Sequence, residues 1–376
     1  MTTQTQTRTR AAADRIRLAA ARVRPPGPGP GHPLHGPARG GLAALYALGL
    51  ALLAGCAQHA PPPAPPIEAS APAPRPDLAA RRQAELRHAR PERAREAALV
   101  AQQAGDTPAS RAIRAQLEAA EKALLARGLL RSDGGTEIEM TPERLTEDFV
   151  QIALRDEYMR EGGQLVPRTV PAPLRRWTTP VRLFIEFGPS VAPAQQARDR
   201  AEIAAYAARL SAATGHPVTL EPAGGNFAVL ILSEDERRAI GPRLAALVPG
   251  IPDSDIAAMT GLSPQNYCTV FAYSRGNATT YAQAVALIRS ETPPRLRRSC
   301  VHEEIAQGLG LANDSPTARP SIFNDDEEFG LLTPHDELLL KILYDPRLRP
   351  GMTEAEARPI VLAIARELLA AGRPQS

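Results

Sequence analysis

The chain has 376 residues and a net charge of +3, from 44 basic and 41 acidic side chains. That length holds one good-sized domain plus accessory segments rather than two full enzymatic domains. The basic excess sits largely in arginines of the first segment and of the helical stretch after it, which leaves no nucleic-acid footprint.

The first expected element is an Arg-rich leader, residues 1–55, whose apolar stretch Gly41 to Gly55 closes on Leu53-Ala54-Gly55-Cys56. The stretch falls short of the roughly 20 apolar residues that a bilayer-spanning helix requires, so it reads as a secretion signal. The ending resembles the bacterial lipobox, in which Cys56 is lipidated and becomes the first residue. By the same resemblance, Ala57 after the cysteine favours the outer membrane. The expected location is therefore the cell envelope, with a lipid anchor and the chain facing the periplasm.

Residues 56–76 alternate Ala with Pro and cannot pack a core, which makes them a tether. Residues 77–139 follow as an expected helical stalk. Asp77 opens a helix to about Gln103, interrupted at Pro91. A second helix starts at Thr107-Pro108 and stops at Gly128, with Ile113, Leu117 and Leu124 on one stripe. It reads as a solvated spacer or a hairpin lying on the main domain, with a short coiled coil as the alternative.

Residues 140–352 carry the globular pattern. A helix is expected from Thr141-Pro142 to about Tyr158, a strand over Val181 to Phe187, and a helix from Pro193 to Thr214 ended by Gly215. Asn226 to Leu232 forms a further strand, ahead of a helix opened by the capping box Ser233 and Glu236. Such a strand-helix-strand unit predicts parallel neighbours with a right-handed crossover. Thr269 to Tyr273 and Ala284 to Ile288 read as two more strands, and a helix lies around Cys300 to Leu309. Residues 353–376 are expected to add a C-terminal helix. The fold class is α+β, a mixed sheet with packed helices.

Of the 3 cysteines, the lipobox takes Cys56. Cys268 and Cys300 remain, and an oxidising compartment invites them to pair. Free thiols or metal ligands are the alternative, although neither lies in a CxxC pair.

The chemistry centres on the run from Ser299 to Asp314. Glu303 and Gln307 are four apart and share a helix face, Glu304 lies beside them, Gly310 can turn the chain, and Asn313 follows. The spacing is similar to the HExxHxxGxxH motif of metzincin peptidases, with Glu303, Gln307 and Asn313 in place of the three zinc-binding histidines. Glu304 stands at the general-base position and Gly310 at the turn glycine. Phe323, in Ser321-Ile322-Phe323, stands where those enzymes place a methionine, and Leu332-Thr333-Pro334-His335-Asp336 opens a closing helix.

The stretch from about Met140 to Met352 also resembles the domain-of-unknown-function 2927 family of secreted bacterial proteins. Cys300, Glu303-Glu304, Gln307 to Leu311, Asn313-Asp314, Ser321 to Asp325 and Leu343-Tyr344-Asp345-Pro346 carry that resemblance. It implies a metzincin-like fold and no established activity.

One carboxylate and two neutral amides hold zinc weakly, since Zn²⁺ prefers imidazole and thiolate. No cofactor is expected. A divalent ion would need Asp314 to swing in and help. The residues instead suit a role hydrogen-bonding one another and nearby backbone. His302 reads as an ordinary helix or surface histidine, because the register starting there puts Ala306 at the second ligand position. Neighbouring Glu303 and Glu304 do not face each other across a sugar, which disfavours glycoside hydrolysis. Asn324-Asp325-Asp326-Glu327-Glu328 reads as a solvated loop, and Gly224-Gly225 as turn chemistry.

The expected function is that of a non-catalytic binding or structural module with a degenerate peptidase domain. An envelope protein or an extended peptide added to an edge strand would be its partner. The alternative is a hydrolase, metal-dependent or metal-free, with Glu304 as general base.

Overall fold

Three helices begin with the same dipeptide, Thr-Pro, because a threonine hydroxyl accepts the third backbone N–H of a helix while proline presets the first φ. In the computed structural model, which describes residues 78–161 and 164–371, they are α2 (Pro108–Ala126), α3 (Pro142–Ala153) and α9 (Pro334–Leu343). The corresponding caps are Thr107 to the Ser110 N–H at 3.0 Å, Thr141 to that of Arg144 at 3.2 Å and Thr333 to that of Asp336 at 3.1 Å. The leader, the tether and Cys56 lie outside the described residues.

The first helix, α1 (Leu78–Gly105), contains Pro91 instead of being broken at it. The described residues up to Pro91 belong to one unit of the chain, and those from Glu92 onward to another. The first unit shows a helix with Arg82, Leu86 and Arg87 exposed. No described helix is long and apolar enough to cross a membrane.

In the second unit, β3 (Val181–Phe187), α4 (Pro193–Thr214), β4 (Val218–Leu220) and β5 (Phe227–Leu232) form the expected crossover unit, with the short β4 added at the edge. Three small helices follow: α5 (Glu234–Arg238), α6 (Gly241–Leu247) and α7 (Asp253–Thr260). Then come the hairpin β6 (Cys268–Ser274) and β7 (Tyr281–Arg289), and α8 (Pro294–Gly308). The sheet order is β4-β3-β5-β7-β6, parallel except for the antiparallel pair β6-β7. Ser233 and Glu236 form the expected capping box of α5.

Side chains alternate cleanly across this sheet, as the pleat requires. Leu183, Val229, Val270 and Ala286 point into a core shared with α3, α4, α8, α9 and α10 (Glu354–Ala371). Phe184, Leu230, Phe271 and Leu287 point into a second core under α6 and α7. The family of strands buried on both faces explains why they read as near-continuous apolar runs. On α10, Ala357, Val361, Ile364 and Ala365 are buried in the first core, so this helix is built into the domain.

One expectation is corrected. The helix from Thr141 stops at Ala153, and Arg155–Glu161 is strand β1, paired antiparallel with β2 (Gln164–Pro171). The charged run Arg155 to Glu161 suits a helix surface, but pairing with β2 overrides that preference. Helix α2 lies on the main domain, one of the readings its stripe left open: Ile113, Leu117 and Leu124 are buried, the Ser110 hydroxyl donates to Glu291 at 2.6 Å, and Glu121 accepts from the Leu296 N–H at 2.9 Å.

Candidate functional site

Helix α8 brings Glu303 and Glu304 to the side of the sheet where β6 begins. Ligand atoms of Glu303, Glu304 and Cys268 lie within 4.8 Å of one another. All three residues are buried, with Glu304 wholly inaccessible and Glu303 2% exposed. Cys268 is bonded to Cys300 of α8, as the cysteine arithmetic expects, so its sulfur is not a thiolate. What remains for a metal is a pair of adjacent carboxylates on one helix. That donor set does not fit a catalytic zinc site, which needs three protein ligands and an open position.

Gln307 and Asn313 are engaged elsewhere. The Gln307 amide donates to Asp314 Oδ1 at 3.0 Å. The Asn313 side chain donates to the carbonyls of Gln151 at 2.7 Å and Asp314 at 2.8 Å, and its backbone N–H donates to Ile152 at 3.0 Å. These bonds fasten the loop after α8 to the end of α3. Gly310 makes the intervening turn at φ 127°, where a Cβ would lie 2.5 Å from the Arg175 carbonyl, so only glycine fits. Phe323 is fully buried in the first core. At this burial no polysaccharide reaches Glu303 or Glu304.

His302 is a buried helix residue and not a surface one. Burial pushes its pKa down to about 3, so it is neutral. Its Nδ1 accepts from the Leu332 N–H at 3.2 Å, and its ring stacks on Tyr206 at 4.0 Å between centroids. His335 is the opposite case. Burial lowers its pKa, but Asp148, 3.1 Å from Nε2, and Asp336 outweigh burial and lift it to about 9. The acidic loop is only half solvated: Asp325 and Asp326 are exposed, whereas Asn324 and Glu327 are buried and Glu328 pairs with Arg131 and Arg319. Gly224, at φ 69°, and Gly225 lie in the connection between β4 and β5, where a Cβ on Gly225 would run into the Arg182 carbonyl.

On edge strand β6 every residue from Cys268 to Tyr273 is buried, and Ser274 is partly exposed. On the other face of the sheet a pocket of about 330 Å³ sits between β2 and α7. Its far wall is the turn Leu262 to Asn266, which buried charge holds in place. Arg289, fully buried, donates to the carbonyls of Leu262 at 2.9 Å, Ser263 at 3.0 Å and Asn266 at 3.1 Å, and pairs with Glu234. Arg237 donates to the Met259 carbonyl at 2.7 Å and to Glu234 at 2.8 Å. Burial would raise the Glu234 pKa, but the two arginines hold it below the usual carboxylate range. Sequence reading missed this pocket, although Gly162-Gly163 between two strand-length runs is a hairpin signal.

Fold and site together define an α+β domain with a mixed sheet, one disulfide between its edge strand and α8, and a sealed carboxylate pair. The chain belongs to a family of proteins of unknown function, DUF2927, whose model matches residues 142–363. No curated protein and no solved structure matches it.

Proposed function

We propose that the protein is a lipid-anchored module of the bacterial cell envelope, non-catalytic, built on a degenerate metzincin-like domain and serving to bind or brace an envelope partner. The observation that carries this reading is the state of the four positions equivalent to ligands and base. Glu303, Glu304, Gln307 and Asn313 are each at most 2% exposed, and the two amides are committed to holding the loop after α8. A general base must reach its substrate's proton, directly or through one water. The Cys268–Cys300 bridge supports an oxidising compartment, and the Leu53 to Cys56 run supports the anchor. The proximity of Glu303, Glu304 and Cys268 is what a hydrolase reading would build on, with Glu304 as base.

Metal content by mass spectrometry of protein purified without chelators, beside Glu303→Ala, tests the non-catalytic reading. The expected result is no stoichiometric metal in either. A stoichiometric ion in the wild type that vanishes in the variant overturns it. Cys56→Ala should release the protein from the membrane fraction, and retention there refutes the anchor.

A further inference from the structure

The Cys268 sulfur keeps company beyond its bridge partner: it lies with a carboxylate oxygen of Glu303 and one of Glu304, the three atoms within 4.8 Å of one another. Cys300 belongs to the same group, because it is bonded to Cys268 and stands three and four residues before the two glutamates on α8. Residues at that spacing share a helix face, and helical side chains lean toward the N-terminus, which sends both carboxylates back over the turn that carries Cys300. Two sulfurs and two carboxylates therefore converge at one buried place where β6 meets α8.

In the oxidised chain each sulfur is bonded to the other, and the carboxylates alone make a poor metal site. A dithiol reductant changes the donor set. It gives two electrons and two protons to the Cys268–Cys300 bond, closes to its own disulfide and leaves two thiols. Each thiol then loses its proton as a metal ion binds. Two thiolates and two carboxylates are four anionic ligands, the count and charge of a Cys₄ zinc site. The thiolates favour Zn²⁺ over Ca²⁺ and Mg²⁺, which take oxygen ligands. With zinc's usual bonds of about 2.3 Å to sulfur and about 2.0–2.2 Å to oxygen, tetrahedral ligands stand about 3.3–3.8 Å apart. The group needs to close by no more than about 1.5 Å, which side-chain rotation supplies once the bridge is open.

We infer that the reduced chain holds one Zn²⁺ through Cys268, Cys300, Glu303 and Glu304, and that the ion replaces the disulfide as the tie between β6 and α8. With all four positions filled by protein there is no open position for a reacting water, so the ion is structural. The four residues are buried, so reduction and loading take place while the domain is open, and the ion enters as the chain folds. The inference goes beyond the non-catalytic reading, which concerns the oxidised protein: an empty reduced chain overturns the inference and leaves that reading intact.

The test uses the full chain with Cys56→Ala, which leaves Cys268 and Cys300 as its cysteines. It is unfolded in urea with dithiothreitol, freed of reductant without air, and refolded beside the oxidised protein. Co²⁺ serves as the optical probe for zinc. The expected result is one equivalent of Co²⁺ in the reduced chain alone, with a thiolate charge-transfer band and the visible bands of a tetrahedral ion, all lost on adding Zn²⁺. Glu303→Gln/Glu304→Gln, which keeps the size of both side chains, should weaken binding at least about tenfold. Zn²⁺ should raise the urea midpoint of the reduced chain. X-ray absorption at the zinc edge, which requires no glutamate variant, should count two sulfur and two oxygen neighbours. The inference is overturned if the reduced chain binds no ion, if the oxidised protein binds one equally well, if the glutamine variant binds like its parent, or if Zn²⁺ leaves the midpoint unchanged. Absorption that finds no sulfur, or four sulfurs from an ion shared between two chains, overturns it as well.

Discussion

Removing the bridge between β6 and α8 tests the energetics of the domain most directly. Cys268 and Cys300 are separated by 32 positions, and both are almost fully buried. On the chain-entropy account, closing a loop of that length removes about 12 cal/mol/K from the unfolded ensemble, or about 3.7 kcal/mol at 25 °C. The double substitution to alanine adds the loss of buried sulfur from a close-packed site, so the total should be at least about 4 kcal/mol. Urea unfolding of Cys268→Ala/Cys300→Ala beside wild type measures it, with the slope expected to rise in the variant because the chain without the cross-link expands further on unfolding. A loss under about 1 kcal/mol refutes the reasoning, because the loop would then be closed in the unfolded state by other means. Burial adds a kinetic expectation: dithiothreitol should reduce the bridge in native protein no faster than the domain opens, and immediate reduction under native conditions contradicts the burial.

The His335 charge predicts a pH dependence. Its pKa rises from 6.5 to about 9 on folding, so its contribution is full below pH 6.5 and is lost as pH climbs through 9. About 3 kcal/mol should disappear between urea midpoints at pH 6 and pH 9.5, and His335→Gln should flatten that slope; an unchanged slope refutes the ion pair with Asp148. Gly308→Ala places a Cβ 2.4 Å from Phe227 Cζ and 2.5 Å from Cε1, so overpacking should cost about 1–3 kcal/mol against the roughly 1 kcal/mol that alanine ordinarily gains in a helix. A stabilised variant would contradict that close approach. Leu117→Ala in α2 should cost about 2–5 kcal/mol because the side chain is fully buried, whereas a solvated stalk would lose at most about 0.5 kcal/mol.

Much of the sheet was legible in advance because its strands are apolar on both faces and its helices begin with caps. Val181 to Phe187 and Pro193 to Thr214 emerge with the bounds their patterns imply. Hairpin β1-β2 was signalled only by Gly162-Gly163, since Arg155 to Glu161 carries charges in a spacing that a helix surface also tolerates, and pairing to β2 decides between them. The lone pairing available to two cysteines made the bridge readable. On α8, spacing put Glu303 and Glu304 side by side but could not reveal burial, which depends on what the loop to Asp314 and the sheet lay over them. Beyond that hairpin signal the pocket had no motif: the turn Leu262 to Asn266 has an ordinary sequence, and Arg289, which holds the Asn266 carbonyl, is 23 positions away.

Trp177 is the sole tryptophan of the chain, 1% exposed, and its indole N–H donates to the Gly308 carbonyl at 2.8 Å, where α8 ends against the sheet. Every change in indole fluorescence therefore originates at that one junction. Without any label, the chain carries an optical gauge of whether α8 is seated, and comparing its transition with the loss of helical circular dichroism would show whether that helix leaves with the rest of the domain or before it.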